Sequence, residues 1–141
     1  MTKIIALALI LFSWNAHSAE NDYETTLSFV SSYGSWSENG KEGKLRFITK
    51  TVGSEHVFSK LYVQWITFFE DGVGPGEIFA EREILELNGR YLYFHTPTCL
   101  DKWECQKFHL LAEESFGKYR TVEFELVFPS VGKYEIHEKA L

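Results

Sequence analysis

The segment KYRTVEFELVF, residues 118–128, decides the fold class. Its apolar side chains alternate with polar ones, and the apolar set is Val122, Phe124, Leu126 and Phe128. A period of two residues places successive side chains on opposite faces of a β-strand. We therefore predict an antiparallel strand here, with one face buried and the other in water.

Other segments along the chain have the aromatic and β-branched composition of strands. They lie near residues 24–33, 44–52, 57–69, 90–95, 106–112 and 133–138. Glycine-rich stretches or turn dipeptides separate them, among them Gly34–Gly43, Gly53-Ser54 and Asn88-Gly89. This spacing predicts an all-β fold, an antiparallel β-sandwich of about seven to nine strands.

The C-terminal segment PSVGKYEI, residues 129–136, resembles the final turn and strand of many immunoglobulin-like sandwiches. This resemblance covers eight residues. It implies an immunoglobulin-like sandwich and no activity. For the fold as a whole, a jelly-roll-like sandwich is the alternative.

Residues 77–87, EIFAEREILEL, fit two kinds of secondary structure. The segment is rich in helix formers, and Ala80, Ile84 and Leu87 would line one face of a helix. Ile78, Ala80 and Ile84 also fit a strand, although Arg82 would interrupt its buried face. Because strands surround the segment, we expect a strand, and the pattern leaves room for one short helix.

Residues 1–19 are typical of a cleaved secretory signal peptide. Lys3 precedes an unbroken apolar run, residues 4–12, which is too short to span a bilayer as a helix. Cleavage after Ser18 or after Ala19 fits the small residues that follow. Residues 20–141 then form a single β-sandwich domain of ordinary size, which we expect in the periplasm or outside the cell.

The net charge of the chain limits the classes of partner that we expect it to bind. The formal net charge is −6 at pH 7, and removal of the leader also removes Lys3. An acidic domain repels nucleic acid and anionic lipid, so we expect neither as a partner. No segment after the leader has the length and apolarity of a transmembrane helix. A protein or a glycan is the expected partner.

Cys99 and Cys105 are the two cysteines of the chain. In an exported protein this number predicts one disulfide. The chain-entropy model gives such a short closed loop about 2–3 kcal/mol of stabilisation. Five residues separate the cysteines, unlike the two-residue spacing of a thioredoxin-like redox pair.

The segment from Arg90 to Glu113 fits a β-hairpin with Lys102 at its tip. In this register the opposed pairs are Cys99–Cys105, His95–His109, Phe94–Leu110 and Leu92–Ala112. The even-numbered positions of both arms are mostly apolar, as a hairpin with one buried face requires. Pro97 is the weak point of the register, because it cannot donate a ladder hydrogen bond.

The odd-numbered face of this hairpin carries Tyr91, Tyr93, His95 and His109, and Trp103 lies in the closed loop. Tyrosine and tryptophan side chains suit a protein partner or a sugar ring, so we predict a binding face. The two histidines suggest a metal site, which would need further ligands, or a pH-sensitive pair. If this face packs against the second sheet instead, its aromatic side chains belong to the core.

Sequence motifs of catalysis are absent. The chain has no His-Glu-x-x-His motif, no nucleophile elbow and no phosphate-binding loop. The predicted function is therefore an exported, non-enzymatic binding module without a cofactor. Two alternatives stay open, a small secreted hydrolase whose carboxylates meet only in the fold, and a metal-binding protein that uses His95 and His109.

Overall fold

The computed structural model describes residues 26–68, 76–101 and 104–139. The first sheet contains β1 (Thr26–Glu38), β2 (Lys41–Val52), β3 (Phe58–Thr67) and β4 (Ile78–Glu83). The second contains β5 (Leu92–Phe94), β6 (Thr98–Cys99), β7 (Lys107–Glu114), β8 (Thr121–Ser130) and β9 (Lys133–Lys139). Every pairing is antiparallel, which confirms the all-β sandwich. The predicted signal peptide lies outside the described residues.

Each sheet is a meander, in which most neighbouring strands are also neighbours along the chain. The orders are β1-β2-β3-β4 and β5-β7-β8-β9, and β6 also pairs with β7. Immunoglobulin-like and jelly-roll-like sandwiches instead connect their sheets through Greek-key crossovers. Among the described elements the chain passes between the sheets once, through helix α1 (Leu85–Asn88).

Aromatic rings fill the space between the two sheets. Phe47 of β2 meets Phe108 of β7 and Phe128 of β8 edge-to-face, with ring centroids 4.8 and 5.6 Å apart. Trp65 of β3 meets Phe128 at 5.8 Å. All four side chains are buried. Such pairs stabilise the core beyond the burial of apolar area alone.

The inward-facing set predicted for residues 118–128 is confirmed. Val122, Phe124, Leu126 and Phe128 are all buried, while the residues between them are partly exposed. The period-two pattern therefore describes β8 correctly.

The first hairpin is longer than its sequence pattern predicted. β1 continues past Gly34, and the turn consists of Asn39 and Gly40, which have positive φ angles of 53° and 75°. Positive φ at both positions is what a tight two-residue hairpin turn requires. Gly34 lies in a bulge that follows Tyr33. Beyond the bulge, the Trp36 side chain packs in the core.

Residues 77–87 divide between the two expected structures. The predicted strand is confirmed as β4 (Ile78–Glu83), and a helix of four residues, α1, follows it. Ile84 and Leu87 are buried at the start and within α1. The segment thus supplies an edge strand and then the crossover to the second sheet.

Where β4 has ended, the Asn88 side chain pairs with the β3 backbone in place of a neighbouring strand. Its side-chain oxygen accepts the Leu61 N–H at 2.7 Å, and its amide nitrogen donates to the Leu61 carbonyl at 3.2 Å. The N–H of Ile84 donates to the same carbonyl at 3.0 Å. Because Asn88 is buried, this amide satisfies backbone groups that would otherwise lie unpaired in the core.

Candidate functional site

Cys99 and Cys105 form the predicted disulfide, with their Cα atoms 5.5 Å apart. The loop that they close reaches β1, where the N–H of Ser35 donates to the Glu104 carbonyl at 3.4 Å. The disulfide loop of the second sheet therefore packs against the edge of the first sheet. It links the two layers of the sandwich at this side.

The hairpin register predicted from the sequence is wrong. The observed pairs are Leu92–Glu114, Tyr93–Glu113, Phe94–Ala112, Thr98–His109 and Cys99–Phe108. Between β5 and β6 the buried Pro97 interrupts the ladder, and the pairing shifts there by one residue. In β5 the observed register differs from the predicted one by two residues. An even difference keeps the same side chains facing inward. The buried face of the hairpin is therefore as predicted.

Tyr93 and His95 lie on the outer face of the second sheet. Tyr93 and the His95 side chain are both more than two-fifths exposed, at 43% and 44%, and their ring centroids are 6.5 Å apart. The core is formed instead by five even-numbered side chains of the hairpin, those of Leu92, Phe94, Phe108, Leu110 and Ala112. The predicted binding face is accessible to solvent and does not pack against the other sheet.

The two histidines of the predicted site each have a carboxylate neighbour of their own. His95 Nε2 lies 3.2 Å from Glu113 Oε1, and His109 Nε2 lies 3.2 Å from Glu123 Oε2. The backbone N–H of His95 donates to the Leu111 carbonyl at 2.9 Å, so His95 lies opposite Leu111 and not opposite His109. In the described part of the chain, no three His, Cys, Asp or Glu side chains are placed to hold a metal ion.

Tyr91 does not share the face of Tyr93. Its φ angle is 53°, a left-handed conformation that is uncommon for a bulky residue. Its carbonyl accepts hydrogen bonds from the Ser115 N–H at 2.9 Å and from the Ser115 hydroxyl at 2.6 Å. Its ring meets Phe58 edge-to-face at 4.9 Å. Trp103, the remaining predicted binding residue, lies outside the described residues.

Aromatic and apolar side chains from three connections, and from the first residue of β3, lie at one end of the sandwich. We call this surface the aromatic end, and its members are His56, Val57, Phe58, Tyr91, Phe116 and Tyr119. His56 meets Phe116 edge-to-face at 4.7 Å. Tyr91, Phe116 and Tyr119 are 53%, 61% and 72% exposed. The Ser115–Tyr91 hydrogen bonds hold two of the three connections together.

Sequence reasoning missed most of the aromatic end. It placed Val57 in a strand, whereas the structure leaves this residue exposed before β3 begins. The available signal was the pair Phe116 and Tyr119, which flank Gly117 and Lys118 in the connection between β7 and β8. Large aromatic side chains in a turn have no strand face that buries them.

A hollow of about 370 Å³ opens between α1 and β9. Arg90 forms a two-pronged ion pair with Glu138, at 2.7 and 3.3 Å, and lies 5.1 Å from the centre of the Phe124 ring. The Tyr134 hydroxyl donates to Glu86 at 2.7 Å. Burial and then this hydrogen bond raise the pKa of Tyr134 to about 12.

Glu138, a carboxylate at this hollow, does not have the properties of a hydrolytic acid. The hydrogen bond from Arg90 lowers the pKa of Glu138 below its ordinary value. A general acid for glycoside hydrolysis needs a carboxyl group whose pKa is raised. The shift of Glu138 is in the opposite direction.

Comparison with known proteins leaves the function to be argued from the site. No protein-family model, curated protein or solved structure matches this chain. Among the described residues, no helix has the length and apolarity needed to cross a membrane.

Proposed function

We propose that this chain is an exported, non-enzymatic binding module that recognises a protein partner through the aromatic end. One observation carries the proposal: side chains that are distant in sequence meet there in two edge-to-face pairs, the half-buried Phe58 with Tyr91 and His56 with Phe116. Contiguous apolar surface is unfavourable in water, and on a soluble domain it marks an interaction site.

The aromatic end is ordered before a partner arrives. Two hydrogen bonds from Ser115 hold the Tyr91 carbonyl. Tyr91 and Tyr119 both have left-handed backbones, with φ angles of 53° and 52°. Such conformations are costly for bulky residues, and they cluster at binding sites. A backbone held in this way loses less entropy when a partner binds, which favours affinity.

A protein partner fits this surface better than a glycan does. Val57, Phe58 and Phe116 carry no side-chain hydrogen-bonding group, whereas a bound sugar brings hydroxyl groups that need partners. Aromatic residues are enriched at the centres of protein–protein interfaces. The predicted binding residues Tyr93 and His95 would extend the contact as a polar rim.

Export to the periplasm or the cell exterior is part of the proposal. The composition of residues 1–19 supports it. The Cys99–Cys105 disulfide also supports it, because such bonds persist in oxidising compartments.

Partner capture with surface variants tests the proposal. The mature, oxidised protein is cross-linked in its native envelope, and a captured protein is purified and titrated against wild type, Phe116→Ser and Tyr91→Asn. Asparagine tolerates the left-handed backbone at position 91. Ile78→Ser is the matched control, because Ile78 is 54% exposed and pairs near the opposite end of β3 from Phe58.

We expect the two aromatic-end variants to weaken binding about tenfold or more, since buried aromatic anchors dominate interface energies. Ile78→Ser should bind as wild type does. Equal affinity for all four proteins would contradict the proposal. A thermal shift caused by a glycan, and lost in Tyr91→Asn, would replace the protein partner with a glycan.

A further inference from the structure

The edges of the two sheets differ in how they are protected. An edge strand presents unpaired backbone N–H and C=O groups, to which another strand can add. Charged side chains, prolines, short length and covering contacts prevent this addition. The described strands β1, β4, β5 with β6, and β9 form these edges.

Three of these edges carry such protection. The seven residues of β9 include two lysines, two glutamates and a histidine. β5 and β6 have three and two residues, with Pro97 between them. β4 contains Glu81, Arg82 and Glu83, and Arg82 Nε donates to the Gly132 carbonyl at 3.0 Å, which ties this edge to the second sheet.

Before Ser35 the edge of β1 has no such feature among the described residues, although a bulge between Leu27 and Phe29 interrupts its register. The strand has 13 residues, with no charged side chain before Glu38 and no proline. The disulfide loop covers it near Ser35, whose N–H donates to the Glu104 carbonyl. From Thr26 to Tyr33 the strand pairs with β2 on one side and with no described strand on the other.

Two apolar side chains lie beside this open edge. Leu27 is opposite Lys50 and Val30 is opposite Ile48, so both lie on the outer face of the first sheet. Leu27 is 56% exposed and Val30 is 48% exposed. A strand added to the edge would cover the flank of both side chains and reduce their exposed apolar area.

We propose that β1 of a second copy of this chain pairs with this edge, antiparallel and around a two-fold axis near Val30. An uncharged strand faces its own copy without like-charge repulsion. The axis places Val30 beside its equivalent, so one stretch of edge serves both copies. The two four-stranded sheets then become one continuous sheet. This dimer does not depend on the function of the aromatic end.

Sedimentation of the mature, oxidised protein from micromolar to millimolar concentration tests the dimer. We expect a concentration-dependent dimer, whose dissociation constant rises about tenfold or more in Val30→Lys and in Val30→Glu. Like charges then meet across the axis. An equal mixture of the two variants should dimerise again, because lysine then faces glutamate. Ile78→Lys, the matched change on β4, should leave the dimer unchanged.

A wild-type protein that is monomeric at millimolar concentration overturns the proposal. A dimer that both Val30 variants leave intact overturns it as well, because another surface would then join the copies. Circular dichroism checks that the variants fold. If either variant does not fold, amide hydrogen exchange of the wild-type protein tests the pairing instead. Amides from Leu27 to Tyr33 must then exchange more slowly at high protein concentration. Equal exchange rates at low and high concentration refute the pairing.

Discussion

Gly34 lies directly against Cys105. A Cβ atom on Gly34 would stand 2.5 Å from Cys105 Cβ and 2.7 Å from the Glu104 carbonyl oxygen, and the φ angle of Gly34 is 53°. The position of the disulfide loop therefore depends on the glycine in the bulge of β1. Only a residue without a side chain allows the loop to approach the first sheet so closely.

Gly34→Ala should therefore destabilise the oxidised protein by about 2 kcal/mol or more. The substitution strains a left-handed backbone and also forces the Cys105 loop away from β1. Urea denaturation measures the loss in the free energy of unfolding.

Gly40→Ala is the control for this substitution. Gly40 also has a positive φ, 75°, but nothing lies within 4 Å of its added Cβ. Gly40→Ala should lower the free energy of unfolding only by the cost of the strained backbone, about 1 kcal/mol. Equal losses for the two variants would mean that the contact with Cys105 adds nothing.

Asn88→Ala should cost about 3 kcal/mol, because the Leu61 N–H loses its partner in the core and the Leu61 carbonyl loses one of two. Amide exchange at Leu61 gives a local readout, which we expect to accelerate relative to the rest of β3. Unchanged protection of the Leu61 amide would show that Asn88 does not act as a strand neighbour.

Thr49→Val should stabilise the protein by about 1 kcal/mol. The Thr49 hydroxyl is fully buried and has no hydrogen-bond partner among the described residues. Valine has nearly the same shape and removes the unpaired polar atom. Thr51→Val is the control, since the Thr51 hydroxyl bonds to Ser28 and should give no gain. A lower thermal midpoint for Thr49→Val than for wild type would refute this account.

The layers of the sandwich were predictable from sequence, but the register of the hairpin was not. In residues 118–128 polar and apolar side chains alternate along the chain, so the buried face of β8 follows from this local pattern alone. The partners of Tyr93 and His95 depend on where Pro97 interrupts the ladder. The sequence marks Pro97 as the weak point, but no local pattern records how many residues the pairing shifts there.

The candidate site was predictable where residues are close along the chain. The disulfide and the exposure of Tyr93 follow from a single hairpin. The aromatic end does not, because His56 and Phe116 are distant in sequence and meet only when the sheets pack. The left-handed backbone of Tyr91 also breaks the alternation that placed it with Tyr93.

Two arginine–carboxylate pairs give the stability of the protein a defined dependence on acid pH. A hydrogen bond from Arg90 lowers the pKa of Glu138, and one from Arg120 lowers the pKa of Glu114. Because the folded-state pKa lies below the unfolded value, each pair stabilises the fold above the unfolded pKa, about 4.3. The contribution is lost as the pH falls through the folded pKa.

Glu138→Gln should therefore lower the thermal midpoint near neutral pH, and its difference from wild type should shrink below about pH 4. Both partners are exposed, so the effect is small and high salt should reduce it. Arg90→Gln should show the same pH dependence, because it removes the other half of the pair. A difference that stays constant from about pH 7 to about pH 2 would mean that ionised Glu138 is not its source.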